Sequence, residues 1–325
     1  MQRFLTFATK KIAMYCGVDI GGTHTQIGAV DASGKVLDHE KLNTASFTQA
    51  RDLVITIAYT ILRMAKVSGR KIEGIGVGCP NVNPKTGILR HAANLKFKEE
   101  ISIKDELAQY FPDIPVVVDN DANAAAVGER IYGKARNTDD FLCVTLGTGV
   151  GGGVFCNGKL VYGLNGMAGE IGHMIVEPNG RPCGCGRKGC LERYASAGGI
   201  LDNYLEICAQ NNITPQASTY RQVAEAAKAG DMLALQAFDK AARVLGQALA
   251  NIACVTAPTH IFVFGGVAQV GEILLAPLRK YFAENLLFCY KKTAEDSPAV
   301  CIELSELMDS FKDAAILGAA ALARL

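Results

Sequence analysis

Residues 14–31 read MYCGVDIGGTHTQIGAVD, and residues 141–163 read FLCVTLGTGVGGGVFCNGKLVYG. Each is an apolar run, a glycine turn, a second strand bearing glycine and a further tight turn. Asp19-Ile20-Gly21-Gly22-Thr23 corresponds to Leu146-Gly147-Thr148-Gly149, and Ser33-Gly34-Lys35 to Asn157-Gly158-Lys159, with a one-residue offset. A repeat spaced by well over a hundred residues suggests two related domains, because solenoid units recur every ~20–50 residues. Similar turn chemistry arising twice without kinship is the competing reading. At 325 residues the chain is long enough for two cores.

Outward from the first hairpin, Lys35 to Asp38 completes an antiparallel meander, and Leu53, Ile57, Ile61 and Leu62 recur at helical spacing between Thr48 and Lys66. Ile72, Ile75 and Val77 alternate as in a strand, and a helix is expected near Ile103 to Phe111. Val116 to Val118 then reads as a strand running through an acidic turn into an alanine-rich helix, Asp121 to Ile131. Beyond Leu191 the pattern is mainly helical, over 195–210, 219–229 and 232–256. A buried strand, His260 to Phe264, ends in Gly265-Gly266, and a helix from Ile273 to Glu284, a strand near Val300 to Leu304 and a terminal helix from Phe311 follow.

Lys and Arg number 33 and Asp and Glu 32, a net charge of +1, so no global field points to a nucleic acid or a membrane surface as partner. No stretch approaches the ~20 apolar residues of a membrane-spanning helix. The first thirteen residues lack the apolar core of a signal peptide and read as a tail, with Met14 as an alternative start. Eleven cysteines, an odd number, fit a reducing, cytoplasmic setting.

Three glycine turns stand at strand ends: Gly21-Gly22-Thr23, the run from Gly147-Thr148-Gly149 to Gly153, and Gly265-Gly266. Glycine lets backbone N–H groups approach phosphate oxygens, although such turns are also ordinary structural devices. None is a P-loop or a dinucleotide fingerprint. Asp119-Asn120-Asp121-Ala122-Asn123 crowds polar side chains where a strand enters a helix. Asp121 or Asn120 could serve only as a helix cap, or Asp121 could be a general base in phosphoryl transfer, with Asn120 orienting the same alcohol. Cys183-Gly-Cys185-Gly-Arg-Lys-Gly-Cys190, with His173 ten residues upstream of its first thiol, has the ligand set of a closed structural zinc site, a disulfide being the alternative. The other eight cysteines lie in apolar runs and read as small buried hydrophobes. Glu170 and Glu192 flank the cysteine loop, which would fix both in one polar pocket; solvated or helix-capping roles stand beside that reading.

Taken together and in this order, Asp19-Ile-Gly-Gly-Thr23, Asn120-Asp121-Ala-Asn123, the Leu146-to-Gly153 run and Gly-Glu170-Ile-Gly-His173 before the cysteine loop resemble the ROK family of repressors, open reading frames and kinases, from about Tyr15 to the end. The resemblance implies an α/β fold of the actin-like ATPase (ribonuclease H-like) type. Two related domains would flank a cleft: residues 1–134 with 311–325, and residues 135–310, the second carrying the zinc-stabilised loop. It also implies ATP-dependent phosphorylation of a hexose at its 6-hydroxyl, in a homodimer or homotetramer. Asp121 then matches the catalytic base, and Asn120, Glu170, His173 and Glu192 match the sugar ligands. Asp19 would hold Mg²⁺ through water. Gly21, Gly22, Thr23, Gly147, Thr148 and Gly149 would line the phosphates, with Gly265 and Gly266 beside the adenosine. His173, Cys183, Cys185 and Cys190 would hold Zn²⁺.

Glucose is the expected substrate, with N-acetylmannosamine or N-acetylglucosamine as the alternative. The choice rests on Gly78 to Asn83 and on His91-Ala-Ala-Asn-Leu95, where small alanines would leave room for an acetyl group. A sugar-responsive repressor, also found in the family, would need an N-terminal DNA reader, and only about thirteen residues precede the first strand.

Overall fold

The computed structural model describes residues 12–90, 95–97, 99–290, 300–310 and 312–325. Most of the tail expectation, His91 to Asn94 of the stretch tied to substrate choice, and Phe311 lie outside the described residues.

β1 (Ala13–Ile20), β2 (His24–Val30) and β3 (Val36–Asn43) form the antiparallel meander. α1 (Ala50–Ser68) leads into β4 (Lys71–Gly78), which lies parallel to β1. Leu53, Ile57, Ile61 and Met64 bury one face of α1, whereas Leu62 is exposed; at ~100° per residue it falls off the stripe that Ile61 occupies. The two-residue strands β5 (Val82–Asn83), β6 (Ile88–Leu89) and β7 (Ile101–Ser102) make a small separate sheet. α2 (Ile103–Ala108) then leads to β8 (Val116–Asp119), parallel to β4.

After α3 (Asp121–Tyr132), β9 (Phe141–Leu146), β10 (Val150–Cys156) and β11 (Lys159–Leu160) repeat the meander. The helices α4 (Glu192–Ala195), α5 (Ala197–Gln210), α6 (Tyr220–Lys228) and α7 (Met232–Thr256) follow. β12 (His260–Phe264), α8 (Glu272–Asn285), β13 (Cys301–Leu304) and α9 (Ala314–Leu322) complete the chain. The first sheet runs β3-β2-β1-β4-β8 and the second β11-β10-β9-β12-β13. In both, an antiparallel meander is extended by two parallel strands, so the repeat read from two glycine hairpins is a repeat of topology.

The chain divides into two compact units, Met1–Ala124 with Ala315–Leu325, and Ala125–Ala314. In the first, α9 is apolar on every side, as a helix covered all round should be. Its seat on the sheet is made by glycine: a Cβ on Gly76 would stand 1.9 Å from the Ala319 carbonyl oxygen, and one on Gly17 2.1 Å from that of Ile316. In the second, Leu142, Val144 and Leu146 of β9 and the buried face of α7 (Phe238, Leu245, Leu249) share one core, while Phe141 and Phe155, also buried, stack on each other.

Of the eight cysteines expected in the core, Cys16, Cys79, Cys143 and Cys208 are buried and Cys156 and Cys301 half-buried, but Cys254 and Cys289 are exposed. Cys254 lies in the last turn of α7 beside the exposed Val255, and Ala250, one turn earlier on the same face, is still buried, so the helix leaves the core there. Among the described residues no helix is long and apolar enough to cross a membrane.

Candidate active site

In the first unit β1, β4 and β8 are parallel neighbours, with Asp19 opposite Gly78 and Gly78 opposite Asp119. Their carboxyl ends therefore share one sheet edge, which gathers acids far apart in sequence. A Cβ on Gly78 would lie 3.7 Å from Asp19 Oδ1 and 3.9 Å from Asp121 Cα, so glycine keeps the space between them open. Burial, and then the charge of Asp121, raises the Asp19 carboxyl to about 7. Asp121 keeps an accessible surface, yet the surrounding protein strips enough water to push its carboxyl above the usual carboxylate range.

The polar residues around Asp121 have separate duties. Asp119 is fully buried and accepts from Asn120 N at 2.7 Å and Asn123 Nδ2 at 2.8 Å. Asn120 Oδ1 accepts from Asn123 N at 2.6 Å, capping α3. The helix-cap reading thus falls on Asn120, and Asp121, whose Oδ1 accepts from Ala122 N at 2.9 Å, is the acid left facing solvent. Gly21, Gly22 and Thr23 form the β1–β2 turn, closed by Gly21 N on His24 O at 3.0 Å.

In the second unit β9 and β12 are parallel with Thr145 opposite Phe264, so the turns that follow them, Gly147–Gly149 and Gly265-Gly266, again meet at one edge. Beside them is a pocket of about 360 Å³, lined by Gly147, Thr148, Gly266, Val267 and one face of α6. That face carries Tyr220, Arg221, Ala224, Glu225 and Lys228, at helical spacing. The amphipathic helix is legible in sequence, but which of its faces would meet a ligand is not.

The cysteine loop also belongs to the second unit. One ligand atom each from His173, Cys183, Cys185 and Cys190 lie within 4.8 Å of one another. Cys185 Sγ is 3.5 Å from Cys190 Sγ, and Cys183 Sγ is 3.7 Å from His173 Nδ1. A tetrahedron with arms of ~2.3 Å has edges near ~3.8 Å, so the four atoms are spaced as zinc ligands, and far too wide for a disulfide. All three thiols are free; Arg187 draws Cys185 down to about 6, whereas burial pushes Cys183 up to about 12 and Cys190 upward too.

His173 and Glu170 are set by the turn that bears them. A Cβ on Gly172 would stand 1.9 Å from Val150 O, and one on Gly169 2.1 Å from Gly152 O, so the turn lies flush on β10. His173 Nδ1 faces Cys183 and stands 3.7 Å from Glu192 Oε1, while Nε2 is 4.0 Å from Glu170 Oε2. Glu192 opens α4 and stands close to the β9–β10 turn, where a Cβ on Gly149 would be 3.0 Å from Glu192 Oε2. Glu170, His173, Glu192 and the three cysteines are therefore one cluster, whereas Asp19, Asn120 and Asp121 form another on the first unit.

The ROK family model matches residues 15–325. A glucokinase of Halalkalibacterium halodurans is 38% identical over 82% of this chain and 84% of its own. One of Thermotoga maritima is 33% identical over 94% and 96%. Among solved structures, a ROK family glucokinase from Streptomyces griseus in complex with glucose and AMPPNP superposes with a TM-score of 0.78 at 34% identity, over 96% of this chain and 99% of that one.

Proposed function

The chain belongs to the ROK family, with the mixed-sheet α/β fold of actin-like ATPase type found in its kinases, and from that premise we propose that it is an ATP-dependent glucokinase acting on the 6-hydroxyl. The observation that carries the reading is the row at the end of β8. Asp119, Asn120 and Asn123 are spent on one another, and Asp121 is left as an exposed acid of raised pKa. Such an acid takes the hydroxyl proton as the phosphoryl group transfers. Asn120, whose Oδ1 is committed to the cap, offers its amide nitrogen to the same alcohol.

Phosphoryl transfer asks mainly for positioning and charge neutralisation. Glu170 and Glu192 accept from sugar hydroxyls, and His173 holds a third through Nε2. Zinc fits His173, Cys183, Cys185 and Cys190 by their spacing, and when bound it supplies rigidity and fixes the His173 tautomer. Asp19 is the residue to hold Mg²⁺ through water, since a carboxyl raised to about 7 beside Asp121 is relieved by a nearby cation. The cation supplies neutralisation of the β- and γ-phosphates. Gly21, Gly22, Thr23 and Gly147 to Gly149 offer backbone N–H groups to those phosphates. Gly265-Gly266 and the α6 face of the pocket take the adenosine.

Glucose is favoured over N-acetylhexosamines by the glucokinase relatives. An ADP-release assay with Mg·ATP across glucose, mannose, fructose, allose, N-acetylglucosamine and N-acetylmannosamine tests it. Glucose should give the highest kcat/KM; a higher value on another sugar replaces the substrate, and no sugar-dependent ADP release overturns the kinase reading.

A further inference from the structure

The cysteine loop has a second anchor that uses no metal. Arg181, two residues before Cys183, is only 12% exposed, and every nitrogen of its guanidinium is engaged. Nε donates to Glu206 Oε1 at 2.9 Å, and Nη2 reaches Asn203 Oδ1 at 2.9 Å and Glu206 Oε2 at 2.7 Å. Nη1 donates to the carbonyls of Arg193 at 2.6 Å and Gly199 at 3.3 Å. The group also stacks on Tyr194, with Cζ 4.6 Å from the ring centroid. The backbone adds two ties: Arg181 N donates to Tyr194 Oη at 2.9 Å, and Arg181 O accepts from Gly189 N, beside Cys190, at 2.8 Å. Its partners are themselves fixed, Asn203 Nδ2 donating to Tyr194 O at 3.0 Å and Lys240 Nζ to Glu206 Oε2 at 2.8 Å.

We propose that Arg181 is a positioning residue of the sugar site, locking the cysteine loop to α4 and α5 and thereby setting Glu192 and His173. Its kinetic consequence rests on the kinase reading above; its effect on the metal does not. α4 has four residues and no side-chain cap at its start, too short to hold its own direction. Glu192, its first residue, is restrained on one side by Cys190 and on the other by the Arg181 contact to Arg193 O. A bound metal would hold the loop at its four ligands, and Leu191 N on Met174 O at 2.9 Å ties its end to the turn that bears His173. With Arg181 as well, the Glu192 carboxylate keeps one position relative to His173.

The test is Arg181→Gln in the zinc-loaded protein. Hexose KM should rise about tenfold, the scale of one charge-assisted hydrogen bond lost from alignment, with kcat within about twofold. Zinc release to a chromophoric chelator should quicken by about tenfold. Arg181→Lys keeps a charge for Glu206 but lacks the planar fork, and should fall between. A variant with wild-type KM and zinc release, even one of lower thermal midpoint, assigns Arg181 to packing alone and overturns the proposal. If Arg181→Gln does not fold, Glu206→Gln removes only one partner and should shift KM and zinc release the same way by about twofold; no shift in either likewise overturns it. Wild-type protein without hexose turnover would refute the kinase reading, and zinc release would still decide the role of Arg181.

Discussion

Asp121 differs from its neighbours only in what remains for it to do. Replacing it by Asn keeps the volume and the Ala122 contact through the side-chain oxygen, but removes the acceptor for a proton. Asp121→Asn should lower kcat by about 10²–10⁴ and leave sugar affinity within a few-fold; calorimetric titration of the hexose beside steady-state rates separates the two. A base at Asp121 would work deprotonated, so activity should fall as pH drops through its raised value. The acid limb of kcat/KM should lie above the ~3.9 of an ordinary aspartate, belong to the coupled Asp19–Asp121 pair, and change in Asp121→Asn. Residue chemistry was legible in the sequence where it is local. Three thiols among glycines suggest a metal knuckle, with a disulfide beside that reading, and folding brings their sulfurs and a His173 nitrogen within 4.8 Å of one another. Arg181 gave no such signal, since its partners lie 12 to 25 residues away and only folding brings them to one guanidinium.

Elements impose their own constraint on the site. The turn from Gly169 to His173 lies on β10 because neither glycine carries a Cβ where the strand's carbonyls stand. Gly172→Ala forces a methyl to within 1.9 Å of Val150 O unless the turn lifts. Overpacking of this kind costs about 1–3 kcal/mol. Lifting should carry Glu170 and His173 with it, so a raised hexose KM and faster zinc loss are expected beside a lower thermal midpoint; an unchanged KM would show that the turn does not set these side chains. Regular elements were readable where periodicity ran long enough, as in α1 and α7. β5, β6 and β7 were not, since two residues carry no period; β5 pairs with β6 across a short turn, and β6 with β7 farther along the chain.

Across the whole molecule the same strand order occurs twice, and the two glycine hairpins betrayed it because a turn at a sheet edge constrains sequence more tightly than strand interiors do. The near-zero net charge fits local handling of charge, by backbone dipoles and a few buried acids. One of those acids lies in the second unit. Glu129 on α3 is fully buried and accepts from Ser305 Oγ, from Lys134 N at 2.8 Å and from Glu306 N at 3.5 Å, all within the second unit. Burial raises its carboxyl above the ordinary glutamate value despite these donors. The folded protein then holds this proton more tightly than the unfolded chain. Its contribution is greatest at low pH, declines as pH climbs from ~4.3, the unfolded value, and levels off above the folded one. Glu129→Gln stays neutral, its carbonyl able to accept from Lys134 and Glu306 and its amide to donate to Ser305 Oγ. The variant should therefore gain on wild type as pH rises, by at most about 1.4 kcal/mol per pH unit inside that window. Denaturant unfolding of both proteins between pH 4.5 and 8 reads the difference; a gap that is constant, or that moves in favour of wild type, would remove Glu129 from the pH response.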